Sequence, residues 1–484
     1  MLNSKPTILF TYTLALFAAS LVNAACTDNN TDTTGLQKLI QGGGAGYKLV
    51  LCPGKTYSLN EALNYTAANQ EISTEGYPTD DTRATLLVMG FNKTTAVNAA
   101  NQGQDGAALR HVIVNGNRKS DEAIYTAGGG NIEFGGANAN QVIEYVKSFD
   151  PRGWSCMHIA EGQLNCKNAT IQNNDIGPCG TDFFQMASWA DGISLSCSAS
   201  LVQNNDITDA TDGGIVLFGA PGSTVRNNTI RVKTRTMLGG INMVDVLPWN
   251  PIGNYSGTVV EGNTIYGGFA TNMGNDTRGG QDSKAVIKIG IAVGPDAWFS
   301  DERYGTNKST GAVIKDNKLS GAFVFGMGIT SAKDFVIENN SFFGNTSFIG
   351  DYGPNCTTGS KTPHPPVPLL AEPVSLINTT LSVPSDSPYN FVDGTAFGLT
   401  CFMPPNATIN AWPYGGGQIN SAQGVNGQDP SGTSTNAAQT SAATATPTKK
   451  KSAQGRRAEA PVSRGLATVV MGAAMGFLGG LSLL

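Results

Sequence analysis

One short phrase recurs along the chain and constrains its fold more than any other feature. It reads Ile171-Gln-Asn-Asn174-Asp-Ile176, then Val202-Gln-Asn-Asn205-Asp-Ile207, then Val225-Arg-Asn-Asn228-Thr-Ile230. Looser copies follow: Val260-Glu-Gly-Asn263-Thr-Ile265, Ile314-Lys-Asp-Asn317-Lys-Leu319 and Ile337-Glu-Asn-Asn340-Ser-Phe342. Val114-Asn-Gly-Asn117 reads as an earlier copy. Successive anchor asparagines lie 31, 23, 35, 54 and 23 residues apart. The base period is therefore 23, and the gap of 54 reads as two coils plus a loop. A unit this short cannot bury its own apolar face, whereas stacked units can, so the pattern predicts a solenoid.

A glycine-rich apolar strand follows the phrase: Asp191-Gly-Ile-Ser-Leu195, Asp212-Gly-Gly-Ile-Val-Leu217, Gly239-Gly-Ile-Asn-Met243, Ile289-Gly-Ile-Ala-Val293 and Gly328-Ile-Thr330. Alternate side chains of such strands point into or out of the solenoid. Asparagine at a corner can stack its amide along the axis and tolerates left-handed backbone angles. Composition agrees. Charged residues make up 14% of the chain, against about 25% in a typical soluble domain. The 60 glycines among 484 residues are nearly twice the usual ~7%. Parallel coils set equivalent positions about 4.8 Å apart, where a ladder of like charges would repel. The same figures exclude a disordered chain, a coiled coil and collagen. Upstream, Thr34-Gly-Leu-Gln-Lys-Leu-Ile40 has apolar residues at helical spacing and suits a terminal cap.

That helix, the following Val50-Leu-Cys-Pro-Gly-Lys-Thr-Tyr57 and the Asn-Asn coils together resemble the right-handed parallel β-helix (pectin lyase-like) superfamily of pectate lyases and polygalacturonases, in its fungal secreted form. The resemblance spans about residues 26–345. It implies an all-β, right-handed parallel β-helix with an N-terminal capping helix, its core coils at about 84–345. It also implies action on a polysaccharide in a groove along one sheet. The reaction is not implied, because fold does not fix function.

The ends read as addresses. Lys5, the apolar run Ile8–Val22 and the small residues at Ala24 and Ala25 make residues 1–25 a secretory signal. Small residues at Ser452 and Ala453, a polar spacer Gln454–Arg464 and the apolar Gly465–Leu484 have the layout of a GPI-attachment signal over 454–484. Residues 416–453 are a Ser/Thr/Gly/Ala-rich stalk, leaving 26–415 as the folded domain. The expectation is a monomeric, glycosylated protein of the cell surface or cell wall, tethered to the outer membrane leaflet by its GPI anchor, with a polysaccharide as partner. The chain's net charge is −5, but Lys5 and the net +2 of both stalk and tail leave the folded part at −10. That argues against nucleic acid as a partner.

Eight cysteines, all beyond the signal, imply disulfides. Chain order suggests Cys26–Cys52 and Cys356–Cys401, with the pairing of Cys156, Cys166, Cys179 and Cys197 left open. Sequons at Asn64, Asn92, Asn168, Asn254, Asn307 and Asn378 mark candidate glycosylation sites. No Cys/His spacing suits zinc and no cofactor is expected; calcium enters only if the protein is a lyase.

Catalysis is sought among outward polar residues on one row. Asp191 and Asp212 both open a strand on neighbouring coils, where two carboxylates would flank one glycosidic bond. The alternative is that each is a turn residue capping its strand. Lys288 aligns with Asp212 and would bind a sugar carboxylate or sit as a solvated lysine. Trp189 and Trp298 are candidate sugar platforms. Asp182, in an aromatic insertion, is a candidate groove wall. His158 is either a substrate contact or a satisfied core histidine. Arg152 is the basic group that a lyase would require. Polygalacturonases carry Asn-Thr-Asp, Asp-Asp, Gly-His-Gly and Arg-Ile-Lys motifs. Here Ala190-Asp191-Gly192, Thr211-Asp212 and Val286-Ile-Lys288 only approach three of these, and Gly-His-Gly does not occur. A glycoside hydrolase is thus the leading expectation, with a polysaccharide lyase or a non-catalytic glycan-binding protein as alternatives.

Overall fold

The computed structural model describes residues 26–118, 129–160, 165–181, 189–243, 253–268, 270, 285–294, 297, 309–348, 368–371, 373–382 and 389–390. The segments expected to be signal, stalk and anchor, together with Cys356, Cys401, Asn307, Asp182 and Trp298, lie outside these residues. Among the described residues, no helix is long and apolar enough to cross a membrane.

The chain winds as a parallel β-helix. Each turn contributes a short strand to each of three sheets of 13, 10 and 12 strands. Neighbouring strands run parallel and in register, as in Ile171 beside Val202 and Val202 beside Val225. Alternating side chains fill one continuous interior, from Leu36 and Ile40 of the cap to Phe348, Leu369 and Ala371. After a single bridge of Thr27 to Leu51, strand pairing starts at Lys48 beside Glu71, so the stack starts upstream of residue 84. The cap is the helix Thr33–Gly43, whose first turn is closed by the Asp32 carboxylate accepting from the Gly35 amide at 2.7 Å. Cys26–Cys52 staples the cap's leading strand to the first coil, as chain order suggested. Cys156–Cys179 and Cys166–Cys197 settle the pairings left open.

The recurring phrase divides its work between its two asparagines. The first takes the left-handed corner, with φ of 54–56° at Asn173, Asn204 and Asn227. The second turns inward and builds a ladder. Asn174 Nδ2 donates to Asn205 Oδ1, Asn205 to Asn228, Asn228 to Asn263, Asn263 to Asn317 and Asn317 to Asn340, each at 2.9 Å. Each Oδ1 also accepts the backbone amide of the rung before it, as Asn228 Oδ1 does from Asn205 N at 3.0 Å. Each Nδ2 also donates to a backbone carbonyl, as Asn228 does to Val202 at 3.0 Å. The rungs from Asn174 to Asn317 are almost fully buried, and every polar atom on them is spoken for.

Two readings of the repeat are corrected by this ladder. Asn263 bonds Asn317 directly, so the 54-residue gap is one coil carrying a long insertion, not two coils. Asn117 is not a rung. In register, the ladder position of its coil is Val112, next to Ile113 beside Lys147, and Asn117 instead donates to Val88 O at 3.1 Å. The copy at 114–117 sits in the second sheet, one strand later than the true phrase.

On the outer face of the first sheet, charge alternates. One row runs Arg110, Glu144, Gln172, Gln203, Arg226, Glu261, Lys315, Glu338. Arg110 pairs with Glu144, and Lys315 lies 3.3 Å from Glu261. The two glutamines relay hydrogen bonds of 2.7, 2.8 and 2.9 Å between Glu144 and Arg226. Like charges are thus kept off adjacent rungs.

Asn228→Ala should orphan buried groups on both flanking coils, each costing about 1–3 kcal/mol. Its thermal midpoint by circular dichroism should fall by several degrees. Asn227→Gly, at a left-handed corner, should leave it nearly unchanged. An Asn228→Ala protein melting with the parent would refute the ladder's role.

Candidate active site

His158, Asp191 and Lys288 sit on strands of the third sheet, and Asp212 directly precedes one. A column of glycines shapes this sheet. Cβ atoms built on Gly192, Gly214, Gly240 and Gly290 would lie 2.5–2.6 Å from the carbonyl oxygens of Gly214, Gly240, Gly290 and Gly326, their partners one coil on. Such close backbone approach admits no side chain. The strand following Gly290 therefore continues as Gly326-Met-Gly-Ile329, two residues earlier than the alignment on Gly328 implied.

The column also breaks the two-residue alternation of a strand. Residues three apart now share the outer face: Asp191 Oδ2 accepts from Ser194 Oγ at 2.7 Å. Ser194 also lies 3.1 Å from Ser155 Oγ on the preceding coil. The same i, i+3 spacing brings Asn242 over Gly239, where a Cβ would stand 1.8 Å from its amide oxygen. Asn242 is buried, and its side-chain carbonyl accepts no hydrogen bond.

Asp191 and Asp212 are neighbours across adjacent coils. The Asp212 amide donates to Ala190 O at 3.1 Å, which places Asp212 beside Asp191. Counting back from Ile193 beside Ile215 places Gly213 there as well. Two residues thus oppose one, the arrangement of a β-bulge. The Asp191 carboxylate lies on the face shared with Ser194. Asp191 is only 4% exposed, while Asp212 keeps part of its surface exposed. Burial pushes the Asp212 carboxyl up to about 6 from its ordinary 3.8. Lys288 occupies the row of Asp212, two coils away with Leu238 between them. It is 1% exposed, so it is not a solvated surface lysine.

The preceding coils extend the polar face. His158 stands in register with Ser194 on one side and Glu133 on the other. Its Nδ1 is 2.6 Å from Glu133 Oε2, and its ring packs edge-on against Trp154 at 4.4 Å. Glu133 in turn accepts from the Gly130 amide. His158 therefore joins the carboxylate face rather than the interior. Sequence reasoning did not find Glu133 as its partner, because no copy of the phrase marks that coil. The Trp154 ring is the aromatic neighbour of this face.

Two candidates are corrected. Arg152 is committed to structure: its guanidinium donates to Gly90 O at 2.9 Å, Lys93 O at 3.4 Å and Asn117 O at 3.4 Å. It clamps turns of earlier coils and is not available as a catalytic base. Trp189 is 5% exposed and bridges to Gly180, so it is a packed residue rather than an open sugar platform. Among the described residues, no cluster of His, Cys, Asp or Glu has the grouping of a metal site.

Two predictions follow from this geometry. Gly214→Ala forces a Cβ to 2.6 Å from the Gly240 carbonyl, so soluble yield should collapse, whereas Ser194→Ala should still fold. The raised Asp212 carboxyl holds a proton in the folded state that the unfolded chain has released. Between about pH 4 and 6 stability should therefore fall as pH rises, then level off. Asp212→Asn should remove that loss, gaining more thermal stability over the parent at pH 7.5 than at pH 4. Equal gains at both would contradict the shift.

A family model for a right-handed β-helix region matches residues 155–364. No curated protein matches the sequence. Solved structures with a similar trace include an alginate lyase from Paenibacillus sp. str. FPU-7, 12% identical, with a TM-score of 0.42 over 65% of this chain and 95% of that one. An endo-xylogalacturonan hydrolase from Aspergillus tubingensis is 14% identical, with a TM-score of 0.47 over 76% and 94%. The A-module of a mannuronan C-5 epimerase from Azotobacter vinelandii is 12% identical, with a TM-score of 0.44 over 75% and 96%. Likeness at this level concerns fold alone. Three parallel sheets with in-register coils, together with the matched region 155–364, give the chain the fold of a right-handed parallel β-helix.

Proposed function

We propose that the protein is a secreted, cell-surface glycoside hydrolase acting on an extracellular or cell-wall polysaccharide. The observation that carries this reading is the pair Asp191 and Asp212, side by side on adjacent coils, with Asp212 protonated up to about pH 6. Glycoside hydrolysis requires one carboxyl that delivers a proton to the leaving oxygen and one carboxylate on the other side of the bond. Asp212 takes the acid role because burial keeps its proton at mildly acidic pH. Asp191, oriented by Ser194, is the base or nucleophile. The adjacent-coil spacing of about 4.8 Å favours the close carboxyl separation of a retaining mechanism, about 5–5.5 Å. The Trp154–His158 pair is placed to border the sugar.

Secretion is supported by three disulfides within the β-helix, which persist in oxidising compartments. The N-terminal signal, stalk and GPI tether of the sequence complete the proposed surface location.

A second reading has its own observation. The burial of Asp191 and Lys288 suits a non-catalytic glycan-binding wall protein, in which these residues only brace the sheet. Incubating the secreted protein with a panel of polysaccharides at pH 5 separates the readings. Hydrolysis that falls at least about 100-fold in Asp191→Asn and Asp212→Asn, with binding retained, is the outcome expected of acid–base catalysis. Binding without products supports the wall protein, and products with an unsaturated end would identify a lyase.

A further inference from the structure

The turn Gly90–Lys93 presents an exposed aromatic ring directly beside a glycosylation sequon. Lys93 N donates to Gly90 O at 3.2 Å, closing the turn, and Gly90 N anchors it to Leu59 O at 3.1 Å. The Arg152 guanidinium holds both ends, at Gly90 O and Lys93 O, and Lys93 pairs with Glu61 at 2.8 Å. The tip is therefore fixed. Phe91 stands on it 86% exposed. Asn92 follows, exposed, with φ of 54° at the turn position that asparagine tolerates. It opens the sequon Asn92-Lys-Thr94.

Asn64 is the opposite case. Its Nδ2 donates to Ala62 O at 3.0 Å and its Oδ1 accepts from Asn98 Nδ2 at 3.0 Å. Its backbone amide is bonded by Gln37 of the cap at 2.8 Å. A sugar on Nδ2 would wedge between cap and coil.

We infer that Asn92 carries an N-linked oligosaccharide whose first sugar ring packs on Phe91, while Asn64 stays bare. The inference rests on the secretory reading above. In the transfer step, Asn92 Nδ2 attacks C1 of the first N-acetylglucosamine of a lipid-diphosphate-linked oligosaccharide. The N–C1 bond forms, the C1–O bond to phosphate breaks, Nδ2 loses a proton, and the lipid diphosphate leaves; nothing is oxidised or reduced. The apolar face of the sugar then covers a ring otherwise left in water, and the clamped turn holds the two in place.

The test expresses the full chain in a glycosylating eukaryotic host, once with its own leader and once with a standard secretory leader. Occupancy is mapped by enzymatic glycan release in heavy-oxygen water and peptide mass spectrometry. The expected result is glycan at Asn92 and none at Asn64. Removing the sugars should lower the thermal midpoint of the parent by about 2 °C. The same removal should shift Phe91→Ala by less than half as much, and Asn92→Gln should show no such contribution. Bare Asn92 in the chain exported by the standard leader would overturn the inference, as would an equal loss of midpoint in Phe91→Ala. Failure of export with the native leader alone would instead overturn the secretory reading.

Discussion

The amide ladder from Asn174 to Asn340, buried as far as Asn317, is the constraint on which the coils downstream of residue 170 depend. Each rung spends all its hydrogen-bonding groups on the coil before it and the coil after it. The ladder fixes only the corner, so it is indifferent to chain length between corners. A 23-residue coil and a 54-residue coil stack equally well on it. Long insertions can therefore enter without disturbing the ladder, provided that the chain returns to the same corner.

The glycine column does for the third sheet what the asparagines do for the corner. By letting successive backbones approach within contact distance of a missing Cβ, it bends each strand. Residues i and i+3 then share the outer face. Asp191 and Ser194 meet for this reason, and Asn242 fills the space over Gly239. Without the column, strict alternation would send one of each pair to the opposite side of the sheet. Excess glycine is therefore only partly a matter of corners; here it is the means by which polar groups are gathered on one face.

Much of the fold was legible because its signal is periodic. The doubled asparagine named the architecture, and the Asp-Gly and Lys-Ile-Gly strand openings brought Asp191, Asp212 and Lys288 to neighbouring rows. What escaped was information without a period. Val114-Asn-Gly-Asn117 has the right letters in the wrong sheet, which only backbone pairing reveals. Arg152 looks like a free cation in the sequence, yet its acceptors are carbonyls at residues 90, 93 and 117, distant in the chain. Glu133 comes from a coil whose ladder position is apolar, so nothing marked it as the neighbour of His158. Trp189 drew notice as an aromatic in an insertion, but composition does not say which side of a coil a ring will take.

The alternating row on the first sheet bears on how such a chain can be lengthened or shortened. Arg226, Glu261, Lys315 and Glu338 follow one another with opposite signs. Excising the coil of Glu261 would set Arg226 against Lys315, and excising that of Lys315 would set Glu261 against Glu338. Removing two adjacent coils restores the alternation. In this part of the solenoid, whole coils are thus electrostatically interchangeable only in pairs, a parity rule for recombination between repeats that the amide ladder alone would not impose.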